Sequence, residues 1–464
     1  MLTYDLNKSG KLPKYDYLYQ CIRDDIISGK IKSNEQLPSK RALANHLSIG
    51  LITVANAYEQ LITEGYIVAK ERVGYFVQEL PEDFIKKNQE KNEVTKEEPE
   101  HEYFADFMAN RISLKLFPIS IWNQMLRQAL YDNSDTLFKT IPYNGIYELR
   151  EAIADYLHKN RGMTVSPSQV IIGAGTEYLY SRLIQLFGRK STFGFEESSF
   201  DKLSTICTAY GNPYNFIPID ESGLIVDELK KSATDIVHVS PSNHFPTGIV
   251  MPIKRRLELM EWAYESDNRY IIEDDYDSEF RYKGKYIAPI YTEDINNKVI
   301  YMNTFSKTMV PSLRIGYMVL PEKLMEKYIS TMNFYSCTVS GFEQYAMAAF
   351  IEKGYFERHI KRLVNDYRGR REKICRMFRE SRLNEISTIY QDDAGTHFLL
   401  HVKTSLSDVE IKWAVRQKGI LINCLSEYCF ADADKYHGIL VIHYSDMDEA
   451  TLKLVIAAFE EIFL

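Results

Sequence analysis

The chain has 464 residues, enough for two or three domains, and its composition is that of an ordinary globular protein. Hydrophobic residues make up 45% and charged residues 26%, which excludes a disordered or membrane-embedded chain. No run of about 18 apolar residues occurs and the N-terminus lacks the apolar core of a signal peptide, so we expect a cytoplasmic protein. The net charge of -8 disfavours nucleic-acid binding, but residues 1–78 carry ten Lys and Arg against eight Asp and Glu, so this segment could face DNA.

The cysteines indicate neither a disulfide framework nor a zinc site. None of the six belongs to a C-x-x-C pair or to a His/Cys pattern with metal-ligand spacing. We interpret them as packing thiols of an intracellular protein. They are Cys21, Cys207, Cys337, Cys375, Cys424 and Cys429.

The N-terminal segment has the pattern of three helices. Apolar residues recur at helical spacing over 17–27, and Gly29 follows as a stop signal. Ser39, directly after a proline, is a candidate N-cap for a second helix that carries one apolar stripe. A third helical pattern begins at residue 52 and ends at Gly65. A helix, a short turn and another helix predict a helix-turn-helix.

Two short strands at 66–69 and 75–77 predict a hairpin wing beside these helices. With the string ISGKIKSNEQLPSKRALA at 27–44, residues 14–78 resemble the DNA-binding domain of GntR-type bacterial regulators, and we place this domain at 1–78. The resemblance implies that the third helix enters the major groove while the wing and the helix starts hold phosphates. The implied DNA contacts are Ser39, Lys40, Arg41, Thr53, Arg72 and Gly74.

The third helix departs from the family pattern at its start. Where these regulators commonly have Ser-Arg-x-Thr, this chain has Gly50-Leu51-Ile52-Thr53, so the usual arginine contact to a base is absent. Leu51 and Ile52 could touch thymine methyl groups, or they could leave specificity to neighbours such as Asn56. A winged helix used only for protein contacts is the alternative.

A flexible acidic linker is predicted at 79–104. Residues 79–103 hold nine acidic and four basic side chains and very few apolar ones. Such a segment cannot bury enough apolar surface to offset the entropy of ordering it, so we predict a tether between two domains. Its excess negative charge would keep it off DNA, and a surface helix is the alternative.

Residues 105–464 have the sequence pattern of an α/β domain. A helix is predicted over 147–158, and short apolar runs alternate with helical stretches after it. This alternation predicts a mostly parallel sheet whose ligand site lies at the carboxyl ends of the strands. The predicted strands are 170–172, 192–195, 216–219, 236–239, 270–272 and 299–302.

The stretch 303–317, at one predicted strand end, has the pattern of a pyridoxal phosphate site. Lys307 would form a Schiff base with the cofactor's aldehyde. The hydroxyl groups of Thr304 and Ser306 and the guanidinium of Arg314 would hold its phosphate. An ordinary lysine and arginine on a solvated turn is the alternative, so other strand ends must support the prediction.

Two further strand ends carry matching groups. The turn 173–176 presents backbone N–H groups at a helix start, which suits an anion, although a tight turn for packing explains it equally well. In the acidic run 273–280, Asp274 would keep the pyridine nitrogen protonated and Tyr276 would bond the ring oxygen. Solvated acids or a divalent metal site are the alternatives for this run.

Two loops add candidates for contacts with the cofactor ring. The loop 239–249 could bring Asn243 or His244 to the ring oxygen. Phe200 could stack on the ring, and packing in the core is an equal alternative for it.

Together these strings resemble fold-type-I aminotransferases over 105–464, including EKGYFERHIKRL at 352–363 and AGTHF at 394–398. Joined to the GntR-type segment, the whole chain resembles the MocR/GabR subfamily of transcriptional regulators. The resemblance implies pyridoxal 5'-phosphate (PLP) bound as an internal aldimine at Lys307. It also implies Asp274 at the pyridine nitrogen, Tyr276 and Asn243 at the ring oxygen, and Gly175, Thr176, Thr304, Ser306 and Arg314 at the phosphate.

The chain departs from the aminotransferase pattern where the substrate would bind. Aminotransferases normally hold the substrate carboxylate with an arginine near the C-terminus, but no arginine follows Arg416, and His443 occupies the stretch where it would be sought. Some relatives have an arginine just beyond the stacking aromatic, where this chain has Lys202. The tyrosine that a partner subunit usually lends to the phosphate is not at its usual spacing, which leaves Tyr143 as a stand-in. Lys202 and His443 are therefore the candidate effector residues, and a plain amino acid is a less secure expectation.

We predict a homodimeric, PLP-binding transcription factor that binds double-stranded DNA and senses an amino compound, or PLP itself, through the aldimine at Lys307. No net turnover is required, so the protein need not be an enzyme. The first alternative is an active aminotransferase with a secondary DNA-binding domain, and the missing arginine argues against it. The second is a regulator whose large domain binds no cofactor and only dimerises. Neither a metal site nor a membrane contact is predicted.

Overall fold

The computed structural model describes residues 2–10, 12–79, 103–108, 115–198, 202–282, 287–390, 393–430 and 433–464. The chain divides into two compact units, residues 1–101 and 102–464. Most of the predicted linker lies outside the described residues, so its flexibility stays a prediction. Within the described ranges, every helix is too short or too polar to cross a bilayer.

The first unit contains three helices and a small antiparallel sheet. The helices are α1 Lys14–Ile27, α2 Lys40–Leu47 and α3 Leu51–Thr63, preceded by the 3-10 helix Leu6–Ser9. The strands are β1 Gln36–Leu37, β2 Ile67–Lys70 and β3 Gly74–Val77, in the order β1-β3-β2. The three predicted helices and the hairpin wing are confirmed, and β1 adds a third strand that the sequence patterns did not indicate.

Local signals in the sequence explain the two helices of the helix-turn-helix. The side chain of Ser39 caps α2 by accepting a hydrogen bond from the backbone N–H of Ala42 at 3.2 Å, which satisfies a group that the helix leaves open. Ser48 ends the same helix in the left-handed conformation, with φ +54°. Leu43 and Ala44 are buried in the core of this unit, as the predicted apolar stripe requires.

The second unit is an α/β structure with many elements. Its α-helices are α4 Ile119–Asp132, α5 Ser134–Leu137, α6 Tyr147–Arg161, α7 Thr176–Phe187, α8 Lys202–Tyr210, α9 Val226–Lys231, α10 Ile253–Tyr264, α11 Glu322–Met332, α12 Gly341–Glu352, α13 Tyr355–Glu380, α14 Asp408–Gln417 and α15 Glu449–Phe463. Its 3-10 helices are Pro167–Gln169, Ile290–Glu293, Pro311–Leu313, Arg382–Glu385, Leu425–Tyr428 and Ala433–Tyr436. Its strands are β4 Ala105–Asp106, β5 Val170–Gly173, β6 Phe193–Glu196, β7 Tyr214–Ile217, β8 Ile219–Asp220, β9 Gly223–Leu224, β10 Ile236–Val239, β11 Tyr270–Asp274, β12 Val299–Thr304, β13 Gly316–Val319, β14 Ser387–Tyr390, β15 His397–Val402, β16 Ile420–Leu421, β17 Asn423–Cys424 and β18 Ile439–His443.

The large sheet has seven strands in the order β5-β13-β12-β11-β10-β6-β7. β13 is antiparallel to both of its neighbours and the other pairs are parallel, so the predicted mostly parallel sheet is confirmed. Val239 of β10 pairs with Glu273 of β11, and Asp274 pairs with Met302 of β12. The carboxyl ends of these three strands therefore lie side by side, which is where a ligand site is expected in such a sheet.

The prediction of a strand over 216–219 is wrong in its boundaries. The strand β7 ends at Ile217, because Pro218 has no N–H group to continue the ladder. Ile219 and Asp220 instead form β8, which pairs with β9 in a separate two-stranded sheet.

A four-stranded antiparallel sheet, β14-β15-β18-β17, lies towards the C-terminus and packs in a core with residues of α13 and α15. β4 pairs in parallel with β16. All six cysteines are free, and Cys207, Cys375 and Cys424 are buried, which agrees with the interpretation as packing thiols.

Candidate cofactor site and nucleic-acid interface

A cavity of about 720 Å³ lies at the carboxyl ends of the central strands. Its wall brings together residues that are far apart in the sequence, because parallel strands end at the same edge of the sheet. The predicted residues on this wall are Thr176, Lys202, His244, Asp274, Tyr276, Thr304, Ser306, Lys307, Arg314 and His443. Phe200 lies outside the described residues, so its stacking role stays a prediction.

Lys307 follows the end of β12 by three residues and faces the ring of Tyr276, with Nζ 5.7 Å from the ring centroid. Burial lowers the pKa of the Lys307 ammonium, while the carboxylates of Asp277 and Asp274 oppose this shift. A lysine acts as a nucleophile only when its amine is unprotonated. The lowered pKa therefore favours covalent chemistry at this position.

Asp274 ends β11 with one carboxylate oxygen available. Its Oδ2 lies 3.5 Å from Nε2 of His238 on the neighbouring strand β10. Its Oδ1 is buried without a hydrogen-bond partner among the described residues. A buried acceptor of this kind fits a protonated pyridine nitrogen, which would supply the missing donor. His238 was not predicted, although a histidine inside the apolar run IVHV was a usable signal.

A cradle for a phosphate group lies at the N-terminus of α7. Gly175 caps this helix with φ +84° and ψ 176°, a conformation that only glycine adopts readily. A Cβ atom at this position would lie 2.9 Å from Nη2 of Arg314. The hydroxyl oxygens of Thr304 and Ser306 lie 2.9 Å apart beside this cradle. Two hydroxyls, a guanidinium and a helix N-terminus fit a phosphate, so the residues present fit PLP.

Glu177 pairs with two cations of the cavity, which the sequence patterns did not indicate. Its carboxylate lies 3.3 Å from Nη2 of Arg314 and 3.3 Å from Nζ of Lys202. All three side chains are about half exposed, so these pairs contribute little to stability. An anion that binds Arg314 competes with a weak partner rather than with a buried ion pair.

The other acids of the predicted acidic run are buried and have partners. Glu273 accepts hydrogen bonds from two backbone N–H groups at 2.8 and 2.9 Å. Arg161 lies 3.5 Å from Asp275 and 3.2 Å from Glu279, and burial raises the pKa of Glu279. Among the residues that the structure describes, no group of three His, Cys, Asp or Glu side chains could hold a metal ion. Glu273, Asp275 and Glu279 therefore have a structural role beside Asp274 and Tyr276.

Asn243 is not among the residues that line this cavity, and it is bonded to two residues of the acidic run. Its Nδ2 donates to Oδ2 of Asp277 at 2.8 Å, and the Tyr276 hydroxyl donates to its backbone carbonyl at 3.2 Å. Gly395 closes over this pair, since a Cβ there would lie 2.6 Å from the Asn243 amide nitrogen. The predicted contact of Asn243 with the ring oxygen stays a prediction, and the structure gives its amide to Asp277, a residue that sequence reasoning missed.

The end of the cavity near the C-terminal sheet is aromatic and carries a neutral histidine. Phe245 lies against His443 and Tyr428, with ring centroids 6.1 and 5.3 Å away. Burial holds the pKa of His443 far below its usual range, so its imidazole is neutral. Nδ1 of His443 has no hydrogen-bond partner within the described residues. Tyr143 packs on Tyr328 and does not line the cavity, and its contact with the phosphate of a partner stays a prediction.

The predicted DNA contacts lie on the helix-turn-helix and on the wing. Arg41, Asn56 and Arg72 are exposed, and Thr53 is partly buried in the first turn of α3. Nζ of Lys40 lies 5.3 Å from the ring centroid of Tyr75. Gly74 has φ +136° at the start of β3 and Ser39 caps α2, so both also have a structural role. Their contacts with DNA stay predictions.

Comparison with known proteins agrees with both units. Residues 114–459 match the family of class I and II aminotransferases, and residues 14–77 match bacterial regulatory proteins of the gntR family. The chain is 36% identical to an uncharacterized HTH-type transcriptional regulator of Bacillus subtilis, YdeL, over 91% of each chain. It is 29% identical to the probable rhizopine catabolism regulatory protein MocR of Rhizobium meliloti, over 99% of this chain and 95% of that protein.

The fold of the second unit also matches solved aminotransferases. An archaeal alanine:glyoxylate aminotransferase aligns with a TM-score of 0.68 and 21% identity, over 77% of this chain and 91% of that chain. This likeness shows a fold-type-I aminotransferase fold, and the cavity retains the residues that fit PLP. The chain therefore belongs to the MocR-type subfamily of gntR-family transcriptional regulators, in which a DNA-binding domain is joined to a PLP-binding domain of the class I and II aminotransferases.

Proposed function

We propose that this regulator changes its affinity for an operator when PLP and an amino compound, or PLP alone, occupy the cavity around Lys307. One observation carries the proposal. A lysine with a lowered pKa lines the same cavity as the open acceptor Asp274 and a phosphate cradle, in a chain that also carries a gntR-family DNA-binding domain.

The residues of the cavity divide the tasks of holding the cofactor. When bound, PLP supplies an aldehyde that forms a covalent bond with an amine. Lys307 provides the amine of the protein for this bond. Asp274 would hold a proton at the pyridine nitrogen, Tyr276 would orient the ring oxygen, and Arg314 with the cradle of α7 would fix the phosphate. The amine of an amino compound would compete with the amine of Lys307 for the aldehyde carbon, which is how such a compound would act as a signal.

Sensing requires a difference in binding between two states and no release of product. A coupling of about 1–3 kcal/mol between the cavity and the DNA-binding unit changes operator affinity about 5- to 150-fold. The neutral, aromatic end of the cavity around His443 supports recognition of an amine without the arginine clamp of an aminotransferase. We propose a homodimer that acts on the bacterial chromosome in the cytoplasm, with the acidic segment 79–104 as the tether between the domains.

The experiment is a titration of the purified protein with PLP, followed by visible absorption. The wild type is expected to gain a Schiff-base band, and Lys307→Ala is expected to lose it. Lys298→Ala is the matched control, because Lys298 is also buried with a lowered pKa but donates to two backbone carbonyls away from the cavity. A band that persists in Lys307→Ala would contradict the assignment. Candidate amines that shift the wild-type band identify the effector.

A second candidate function is transamination, which the retained Lys307 and Asp274 favour. It predicts a keto-acid product in excess of the enzyme when an amino donor and a keto acid are supplied. A single turnover at most, with an amine-dependent change in operator affinity, would favour the regulator.

A further inference from the structure

Two large apolar side chains lie exposed at the start of α3, the second helix of the helix-turn-helix. Leu51 is 44% exposed and Ile52 is 76% exposed. The opposite face of this helix is buried in the core of the unit through Val54, Ala57, Tyr58 and Leu61. Ile52 therefore lies on the outer face, and Leu51, three residues before Val54, lies half-exposed at the margin between the two faces.

Side-chain contacts join α3 to the start of α2 and to the wing, which carry basic side chains. The Tyr58 hydroxyl donates to the backbone carbonyl of Pro38 at 2.9 Å, which ties α3 to the start of α2. The ring of Tyr58 also meets that of Tyr75 on the wing, with centroids 5.0 Å apart. Lys40 lies over the same Tyr75 ring. The start of α2, the wing and α3 therefore form one surface, on which cations at α2 and the wing match the charge of a DNA backbone.

Apolar and amide side chains at the start of α3 differ in the base edges that they can contact in the major groove. The 5-methyl group of thymine is the apolar group that the major groove of DNA presents, and an apolar side chain contacts it favourably. Asn56 lies four residues after Ile52, so both point from the same side of α3. An asparagine donates to N7 and accepts from N6 of adenine. Leucine and isoleucine cannot hydrogen-bond the oxygen and nitrogen of guanine that an arginine would contact.

We infer that Leu51 and Ile52 read thymine methyl groups and that Asn56 reads an adenine, so the operator half-site is rich in A·T pairs under the start of α3. This inference rests on the proposed function as a DNA-binding regulator. It assigns specificity to hydrophobic contact at positions where an arginine contact to guanine is absent.

The test measures binding of the full chain to DNA that lacks only the thymine methyl groups. An operator is first selected from a random double-stranded library with the wild-type protein. Dissociation constants are then measured for this operator and for versions in which single thymines are replaced by deoxyuracil. The proteins are the wild type, Ile52→Ser and the matched control Ile62→Ser, which changes an isoleucine that is 37% exposed on the last turn of the same helix.

For the wild type, the affinity is expected to fall about fourfold for each contacted methyl group that is removed. Ile52→Ser is expected to bind the thymine operator more weakly and to lose this sensitivity at the thymine that Ile52 contacts, while Ile62→Ser behaves as the wild type. Unchanged wild-type affinity for every deoxyuracil operator would overturn the inference alone. The inference would also be overturned if Ile52→Ser kept the wild-type affinity for the operator and the wild-type sensitivity to the thymine methyl groups. That result would fit an Ile52 that contacts another protein. If the wild type selects no sequence, the proposed function itself fails.

Discussion

Replacing Gly175 by alanine should weaken PLP binding through Arg314. The new Cβ would lie 2.9 Å from Nη2 and 3.1 Å from Cζ of Arg314. The guanidinium must move back by roughly 0.5 Å or more to restore an ordinary contact distance. Because Arg314 is half exposed, this movement costs the fold little, but it removes the guanidinium from the phosphate position.

The magnitude follows from the bond that is lost. A hydrogen bond to a charged group contributes about 1.5–3 kcal/mol, so the dissociation constant for PLP should rise about 10- to 150-fold. The conformation of the backbone adds a separate cost. Alanine with φ near +84° and ψ near 176° is strained by about 1–3 kcal/mol, which lowers the stability of the protein whether or not PLP is present.

Gly188 separates these two effects. It caps the other end of α7 with φ +91° and ψ 168°, and none of the described atoms would lie within 4 Å of a Cβ at this position. Gly175→Ala and Gly188→Ala should therefore lower the melting temperature of the cofactor-free protein by similar amounts. Titration with PLP, followed by absorption, should show weaker binding only for Gly175→Ala. Equal dissociation constants for the two variants would refute the assignment of the phosphate cradle.

Two further predictions concern buried charges. Asp277→Asn should lower the pKa of Lys307 further, because it removes a carboxylate that stabilises the ammonium. The pH midpoint for reaction of Lys307 with PLP should then shift downwards, and an upward shift or none would contradict this electrostatic interaction. Arg161→Met should cost about 3–5 kcal/mol at pH 8, because it leaves buried carboxylates such as Glu279 without a cation. Burial raises the pKa of Glu279 and Arg161 opposes this shift, so without Arg161 the pKa rises further and the folded variant takes up a proton more readily than the wild type; the deficit should therefore shrink as pH falls towards 5.5. Arg150→Met is the control, because Arg150 donates to backbone carbonyls, and thermal denaturation should show a deficit that does not depend on pH.

Local signals predicted much of the fold. Ser39 was expected to cap a helix and does so, because an N-cap needs only a hydroxyl beside the first free N–H groups. The strands β10 and β11 were expected from their apolar runs, and the structure has them with nearly the same limits. The strand over 216–219 was misplaced because its apolar residues continue through Pro218, where the hydrogen-bond ladder cannot.

The candidate site could be predicted in its main groups but not in their partners. Lys307 and Asp274 were evident because the chemistry needs those residue types after strands. The contact of His238 with Asp274 depends on which strands are neighbours in the sheet, and no local pattern determines that. The amide of Asn243 donates to Asp277, which lies 34 residues further along the chain, and no local pattern indicated this bond. Such partners follow from tertiary packing, which sequence periodicity does not report.

The most direct test of the account is the affinity of the protein for its operator, measured with and without PLP and with the amine that shifts the absorption band. The wild type should change its dissociation constant at least fivefold when the cavity is occupied. Lys307→Ala should bind the operator with one affinity under all of these conditions, and Lys298→Ala should respond as the wild type does. If Lys307→Ala responds to the ligands as strongly as the wild type, the cavity at Lys307 is not the sensor.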